Sequence, residues 1–235
     1  MNAVAITGYV LTGAYVMCMV YISLFCLFQL HLLWKYLQKG SMQEPVKSHT
    51  MDGDNFPAVT IQLPLFNEQY VAGRLIDNMV KMDYPRHKLQ IQVLDDSTDE
   101  TLDITKQKVK QYKDEGFDIE LHHRTNRTGF KAGALKQAQD TARGEFIAIF
   151  DADFMPEHDF LRRTLPYFYK PDTGVVQTRW THLNQSYSLL TELQAFQLNV
   201  HFITEQTGRY KGGYFLQFNG TAGVWRKECI TDSGG

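Results

Sequence analysis

A chain of 235 residues with 24 Lys and Arg against 26 Asp and Glu carries a formal charge of −2. That balance supplies no basic field to recruit nucleic acid, and the length suffices for one sizeable α/β domain with an appendage. Cys18, Cys26 and Cys229 are too scattered for a zinc site or a disulfide framework, and they suit a reducing compartment.

From Val4 to Trp34 there is no Asp, Glu, Lys or Arg, and only Gln29 and His31 are strongly polar. As a helix the run is about 45 Å long, more than the roughly 30 Å hydrocarbon core of a bilayer. Tilt, or an end lying in the headgroups, absorbs the excess. The run is too long for a signal peptide and no basic residue precedes it. Residues 1–36 are therefore expected to form one transmembrane helix. Lys35, Lys39 and Lys47 follow it, so the positive-inside rule places the remainder in the cytosol, with Trp34 and Tyr36 as interface anchors. Residues 37–57 are polar and rich in turn formers and read as a linker to a domain over 58–235.

After Pro57 the pattern alternates. A strand is expected at Val59–Leu65, then a helix over about 69–82 with Val71, Leu75, Met79 and Met82 at helical spacing. A strand at Leu89–Leu94 runs into the turn Asp95-Asp96-Ser97-Thr98, and a helix begins near Asp99. Phe117–Leu121 is a third strand and Lys131–Ala142 a third helix. Glu145 to Asp151 is a fourth strand, an apolar run like those buried on both faces of a parallel sheet. Strands and helices at this spacing predict βαβ units and a mostly parallel sheet. From Ser186 to about Thr204 a longer helix carries Leu189, Leu190, Leu193, Phe196, Val200 and Ile203, a stripe expected to face a core.

Polar residues gather where these strands end. The first strand gives Pro64-Leu65-Phe66-Asn67-Glu68 and the second Asp95-Asp96-Ser97. Beyond the third comes Arg124-Thr125-Asn126-Arg127-Thr128-Gly129-Phe130-Lys131, and the fourth ends on Asp151-Ala152-Asp153. Singly each has a plain structural explanation: Asn67 and Asp95 as helix caps, the arginines as solvated charge. In open α/β sheets, however, ligands bind at the carboxyl ends of the strands. Carboxylates able to hold a divalent metal, beside a basic loop, suit a nucleoside diphosphate. There is no Gly-x-x-x-x-Gly-Lys-Ser/Thr, and Gly-x-Gly-x-x-Gly does not follow the first strand.

At these residues the chain resembles the family 2 glycosyltransferases, most of all the processive β-glycan synthases: cellulose synthases and the cellulose-synthase-like glucomannan mannosyltransferases. The likeness runs from about Val59 to the last residue. It rests on Asp83-Tyr84-Pro85, Leu94-Asp95-Asp96-Ser97-Thr98-Asp99, Gly129-Phe130-Lys131-Ala132-Gly133-Ala134-Leu135, Phe150-Asp151-Ala152-Asp153, Gln177-Thr178-Arg179-Trp180 and Phe218-Asn219-Gly220-Thr221-Ala222-Gly223.

The resemblance implies an α/β fold of GT-A type, a mostly parallel sheet flanked by helices and preceded by one transmembrane helix. It implies a donor pocket lined by Pro64, Asn67, Glu68, Asp96 and Arg124, with Asp95 on the base edge and Lys131 on the diphosphate. Asp151 and Asp153 would hold Mg²⁺ or Mn²⁺. Phe218, Asn219, Gly220 and Thr221 would lie beside the acceptor. Trp180 would stack on a sugar there, although a place in the core suits a Trp equally. Gln177-Thr178-Arg179-Trp180 is one residue shorter than the family's Gln-x-x-Arg-Trp motif and reads as a strand of the acceptor channel. The family's catalytic base, in a Thr-Glu-Asp segment, is expected beyond Gly235, with Asp232 a loop residue. The expected function is inverting transfer from a cytosolic nucleotide sugar, UDP-glucose or GDP-mannose, to a growing β-glycan. Transfer to a lipid acceptor, and a non-catalytic nucleotide-sugar-binding subunit or fragment, are the alternatives.

Overall fold

The computed structural model describes residues 3–38 and 56–234. Most of the expected 37–57 linker, with Lys39 and Lys47, lies outside them. The chain forms two compact units, one of Met1–Gln43 with Trp180–Gln217 and one of Glu44–Arg179 with Phe218–Gly235. Residues 180–217 thus group with the amino-terminal helix.

The second unit is built on six strands: β1 (Val59–Leu65), β2 (Leu89–Asp95), β3 (Ile119–His123), β4 (Phe146–Ile149), β5 (Val175–Gln177) and β6 (Gly223–Arg226), in the order β3-β2-β1-β4-β6-β5. β1 runs parallel to β2 and β4, and β2 to β3; β6 is antiparallel to both β4 and β5. The first four strands are thus the expected βαβ series, and β6 returns against its edge.

Alternation within β1 and β2 sorts their side chains onto two faces. Val59, Ile61 and Leu63 align with Leu89, Ile91 and Val93 and are buried. On the other face Thr60 aligns with Gln90 and Gln62 with Gln92, all buried as well. These polar groups are tolerated because each is bonded. Thr60 donates to Gln90 at 2.8 Å, Gln62 donates to Gln92 at 2.9 Å, and Gln92 donates to the Thr141 hydroxyl at 2.9 Å. The Gly144 N–H donates to Thr60 Oγ1 at 2.8 Å, so the ladder also fixes the turn that launches β4. Any one of these groups left unpaired would cost about 1–3 kcal/mol. Gly144 must be glycine, because a Cβ there would lie 2.3 Å from the Thr60 nitrogen.

Helices in chain order are α1 (Ala3–Leu37), α2 (Ala72–Met79), α3 (Thr101–Asp114), α4 (Phe130–Gln139), α5 (Phe160–Thr164), α6 (Leu189–Val200), α7 (Thr207–Lys211) and α8 (Lys227–Asp232). α2 starts later than its apolar spacing predicts because Asn67 is left-handed (φ 56°) and the Glu68 carbonyl accepts from Val71 and Ala72. β3 starts at Ile119 rather than Phe117, whose N–H still closes the end of α3 on the Tyr112 carbonyl.

α2 and α3 are joined by Asp77, which accepts from Lys108 at 2.8 Å and from the Tyr112 hydroxyl at 2.7 Å. Burial alone would raise the Asp77 carboxyl, but the Lys108 and Tyr112 hydrogen bonds and the Lys108 charge hold it below the ordinary range. The pairing therefore contributes fully above the unfolded carboxyl value of about 4 and is lost as pH falls through the lower folded value. Asp77→Asn is expected to cost about 1 kcal/mol at neutral pH, limited by the pair's partial exposure. The same change should flatten the decline of stability below about pH 4, which urea unfolding across a pH series measures.

In the first unit α1 is apolar along its length, and Val4–Leu37 is long and apolar enough to cross a membrane. Gln29 and His31, the strongly polar residues between Val4 and Trp34, are both paired. Gln29 donates to Glu205 at 2.6 Å, and His31 Nε2 lies 2.8 Å from the Tyr214 hydroxyl. Lys211 donates to the Tyr36 carbonyl at 2.8 Å, and Gly208 packs so closely on Leu32 that a Cβ would lie 2.5 Å from its carbonyl oxygen. α6 passes through a π-helical stretch, His201–Gln206, into α7, and this stretch brings Glu205 to Gln29. Glu205 also accepts from His201 at 2.7 Å. Burial raises its carboxyl, but Gln29, His201 and Arg209 together hold it below the usual value.

One expectation fails here. Leu189, Leu190, Leu193, Phe196 and Val200 are exposed, and Ala195 is the one buried residue of α6. Helical periodicity shows that a stripe exists but not what it faces.

Candidate active site

The strand order reverses about β1, with β2 and β3 on one side and β4 on the other. The carboxyl ends of β1 and β4 therefore flank a topological switch point, where open α/β sheets bind ligands. β6 begins and β5 ends at this same edge. The edge thus gathers Asn67 and Glu68 after β1, Asp95 and Asp96 at β2, Arg124 after β3, Asp151 and Asp153 after β4, and the Phe218–Ala222 loop before β6. Pro64 is the penultimate residue of β1. Trp180 belongs to the helical unit, where its ring lies 5.6 Å from that of Phe202.

Asp95 is fully buried. Its Oδ1 accepts from the Ser97 N–H at 2.8 Å and its Oδ2 from the Thr105 hydroxyl at 2.6 Å. The carboxylate thus shapes the turn and anchors α3 to it. Asn67 continues this turn network, its N–H donating to Ser97 Oγ at 2.8 Å and its Oδ1 accepting from the Thr98 N–H at 3.0 Å.

Asp96 receives Arg124 in a two-pronged contact, Nε to Oδ1 at 2.7 Å and Nη2 to Oδ2. That hydrogen bonding raises the Arg124 guanidinium above its ordinary range, so it is permanently charged. Nη2 also donates to the Phe130 carbonyl at 3.0 Å. Arg124 is consumed in building the loop to α4, and it offers a ligand less charge than its sequence position suggests. Arg127, which residue type alone assigns to solvent, lies with its guanidinium carbon 3.3 Å from the Phe66 ring centre and 5.2 Å from that of Phe130. Its Nε is buried without a hydrogen-bond partner among the described residues. The flanking Phe66 and Phe130 were the available signal for this stack, but they lie 64 residues apart in the chain.

α4 opens on Gly129 (φ 74°) and Phe130 (φ 50°), and Gly133 packs on the loop so tightly that a Cβ would lie 2.1 Å from the Thr128 carbonyl. This turn aims Lys131 across the edge. Its Nζ pairs with the Asp151 carboxylate and donates to the Gly220 carbonyl at 2.8 Å. The Asp151 N–H in turn donates to Thr221 Oγ1 at 2.9 Å. The 218–222 loop is held from its other side by Gln177. The Gln177 side chain accepts from the Asn219 N–H at 2.9 Å and donates to the Thr221 carbonyl at 3.1 Å. Gln177 is the last residue of β5, and its amide is the clamp of the loop.

Among the described residues, Asn67, Phe130 and Ala222 are the non-glycine residues with positive φ, and all three lie at this edge. Such conformations cost about 1–3 kcal/mol and persist where the surroundings over-determine them. A separate cleft of about 980 Å³, lined by His123, Arg124, Asn126, Lys136, Lys227 and Thr231 among others, includes neither Asp151 nor Asp153.

The donor set suits a divalent cation bound together with its substrate. Asp151 already accepts from a cation, the Lys131 ammonium, and Asp153 is exposed two residues on. No group of three or more His, Cys, Asp or Glu side chains with metal-holding geometry occurs among the described residues. Asp151 and Asp153 would hold such an ion, which would offset the charge of a bound diphosphate.

Residues 57–235 match the family model described as "Glycosyltransferase like family 2". The chain is 40% identical over 210 residues to glucomannan 4-beta-mannosyltransferase 2 of Arabidopsis thaliana, covering 87% of this chain and 39% of that protein. It is 42% identical over 185 residues to probable glucomannan 4-beta-mannosyltransferase 4 of Oryza sativa subsp. japonica, covering 77% and 34%. It therefore spans well under half the length of these relatives. Among solved structures, the mannosyltransferase PcManGT of Pyrobaculum calidifontis, in complex with GDP-Man and Mn²⁺, superposes with a TM-score of 0.70 at 26% identity, covering 94% of this chain and 57% of that one. The fold is of GT-A type, and the chain belongs to the family 2 glycosyltransferases.

Proposed function

We propose that this chain carries the donor-binding half of a membrane-anchored, inverting hexosyltransferase that uses a nucleotide sugar and a divalent metal to extend a β-glycan. The observation that carries the reading is the placement of Asp151, Asp153 and Lys131 together at the switch point. A bound Mg²⁺ or Mn²⁺, held by the two aspartates, would offset diphosphate charge. Lys131 would add a point charge to the diphosphate, and the Phe218–Thr221 loop would border the acceptor. In the transfer, an acceptor hydroxyl oxygen bonds to the anomeric carbon as the bond from that carbon to the diphosphate oxygen breaks. The hydroxyl proton passes to a general base, and the nucleoside diphosphate leaves with inversion.

GDP-mannose is favoured over UDP-glucose because relatives sharing about 40% identity are named mannosyltransferases and the structural neighbour was solved with GDP-Man. Calorimetry of GDP and UDP in the presence of Mn²⁺ tests the choice. Tighter GDP binding is expected, and tighter UDP binding would reverse it.

Membrane anchoring rests on α1, and the cytosolic side on the basic residues after it. Protease added to sealed vesicles of cytosol-in orientation is expected to leave the domain after Lys35 intact. Ready cleavage there would place it on the opposite side.

A further inference from the structure

We infer that Lys131 is a resident counter-cation whose displacement by the metal-bound donor unfastens the acceptor-side loop. The inference rests on the donor-site reading above and adds an order of events to it. One ammonium group makes two contacts that belong to different halves of the site, the Asp151 carboxylate and the Gly220 carbonyl at 2.8 Å. Asp151 is further tied to the loop through its N–H and Thr221 Oγ1 at 2.9 Å. Gly220 (φ 83°) and Ala222 (φ 51°) on either side of Thr221 give the loop a backbone that neighbouring contacts must hold in place. Gln177 supplies those contacts from the β5 side, and Lys131 supplies them from the donor side.

A divalent ion arriving at Asp151 meets this ammonium at the carboxylate it needs. Two cations on one carboxylate repel strongly at contact distance. Metal alone must therefore bind weakly, since it gains Asp151 only by depriving the Lys131 ammonium of its carboxylate partner. A nucleoside diphosphate removes the conflict, because its oxygens give Lys131 a new acceptor while completing the metal shell. Metal and diphosphate thus enter as one unit. As Lys131 turns to the diphosphate it releases Gly220, so the acceptor loop is freed only when donor is in place. Such ordering would keep an empty site closed to the acceptor.

The test uses the full chain in detergent, with Mn²⁺ binding followed by electron paramagnetic resonance of the free ion, alone and with GDP or UDP. Lys131→Met removes the ammonium and keeps most of the side-chain length. Mn²⁺ alone is expected to bind this variant at least about tenfold more tightly than wild type, because the competing charge is gone. The factor by which nucleotide tightens Mn²⁺ binding should shrink by a similar amount. Lys136→Met is the control for charge removal through space. It lies five residues on and about 140° round the same helix, with its amine on the Gly234 carbonyl at 3.1 Å. It should change Mn²⁺ affinity less than about threefold, as screened charges do.

Equal shifts in the two variants, or weaker Mn²⁺ binding by Lys131→Met, would overturn the inference while leaving the donor site standing. A wild type that binds Mn²⁺ with neither GDP nor UDP would remove the donor-site reading as well. Hydrogen exchange of wild-type residues 218–222 needs no variant. Exchange should be faster with Mn²⁺ and GDP together than with GDP alone, and an unchanged or slower rate would overturn the release.

Discussion

Replacing Asp151 and Asp153 together by Asn is expected to lower Mn²⁺ affinity in the presence of nucleoside diphosphate by at least about a hundredfold. Loss of a residue that merely orients a metal ligand costs about 10–100-fold, and here both carboxylate ligands lose their charge. The structure sharpens the readout. Lys131 loses its carboxylate partner in the same variant but keeps the Gly220 carbonyl, so the loop should stay in place. Metal-free GDP, drawn to a cation no longer neutralised by Asp151, should bind no worse than to wild type. Calorimetric titration of GDP with and without Mn²⁺ separates the two effects. Equal Mn²⁺ dependence in wild type and the double variant would sink the metal assignment.

The second large effect is expected from Asp95→Ala, and it falls on stability. The side chain is fully buried, and its removal leaves the Ser97 N–H and the Thr105 hydroxyl without their acceptor. Each unpaired buried group costs about 1–3 kcal/mol, so the pair should cost about 2–6 kcal/mol. At about 2–4 °C per kcal/mol for a domain of this size, thermal unfolding should begin well below that of wild type. Thr105→Val is the companion variant. It removes one of the two hydrogen bonds to Asp95 and should give a smaller loss of the same kind. Nucleoside affinity measured below the lowered transition should change little. An Asp95→Ala protein of unchanged melting temperature that had lost guanosine or uridine binding would instead assign Asp95 to the base edge.

How far the residues alone reach is clearest where these two predictions differ. The sequence placed both aspartate pairs at strand ends, and the structure agrees that each lies there. Nothing in Asp95-Asp96 says which carboxylate points inward. That is decided by Thr105, ten residues on along α3, and by Arg124, 28 residues on, each of which claims one of the pair.

The four parallel strands, the apolar first helix and the convergence of Asn67, Asp96, Lys131, Asp151 and Asp153 were legible because each depends on local period or on the rule that ligands sit at strand ends. Three features were settled only by the tertiary structure. Gln177 became the clamp of the 218–222 loop because β5 and β6 pair antiparallel, a contact across more than forty residues. The pairing of Gln29 and His31 with Glu205 and Tyr214 required the chain to return to α1 after more than 170 residues. The apolar stripe of α6 could be read from its spacing, but its exposure could not, because a helical period records that one face differs from the other and only the packing of the whole chain decides what lies against it.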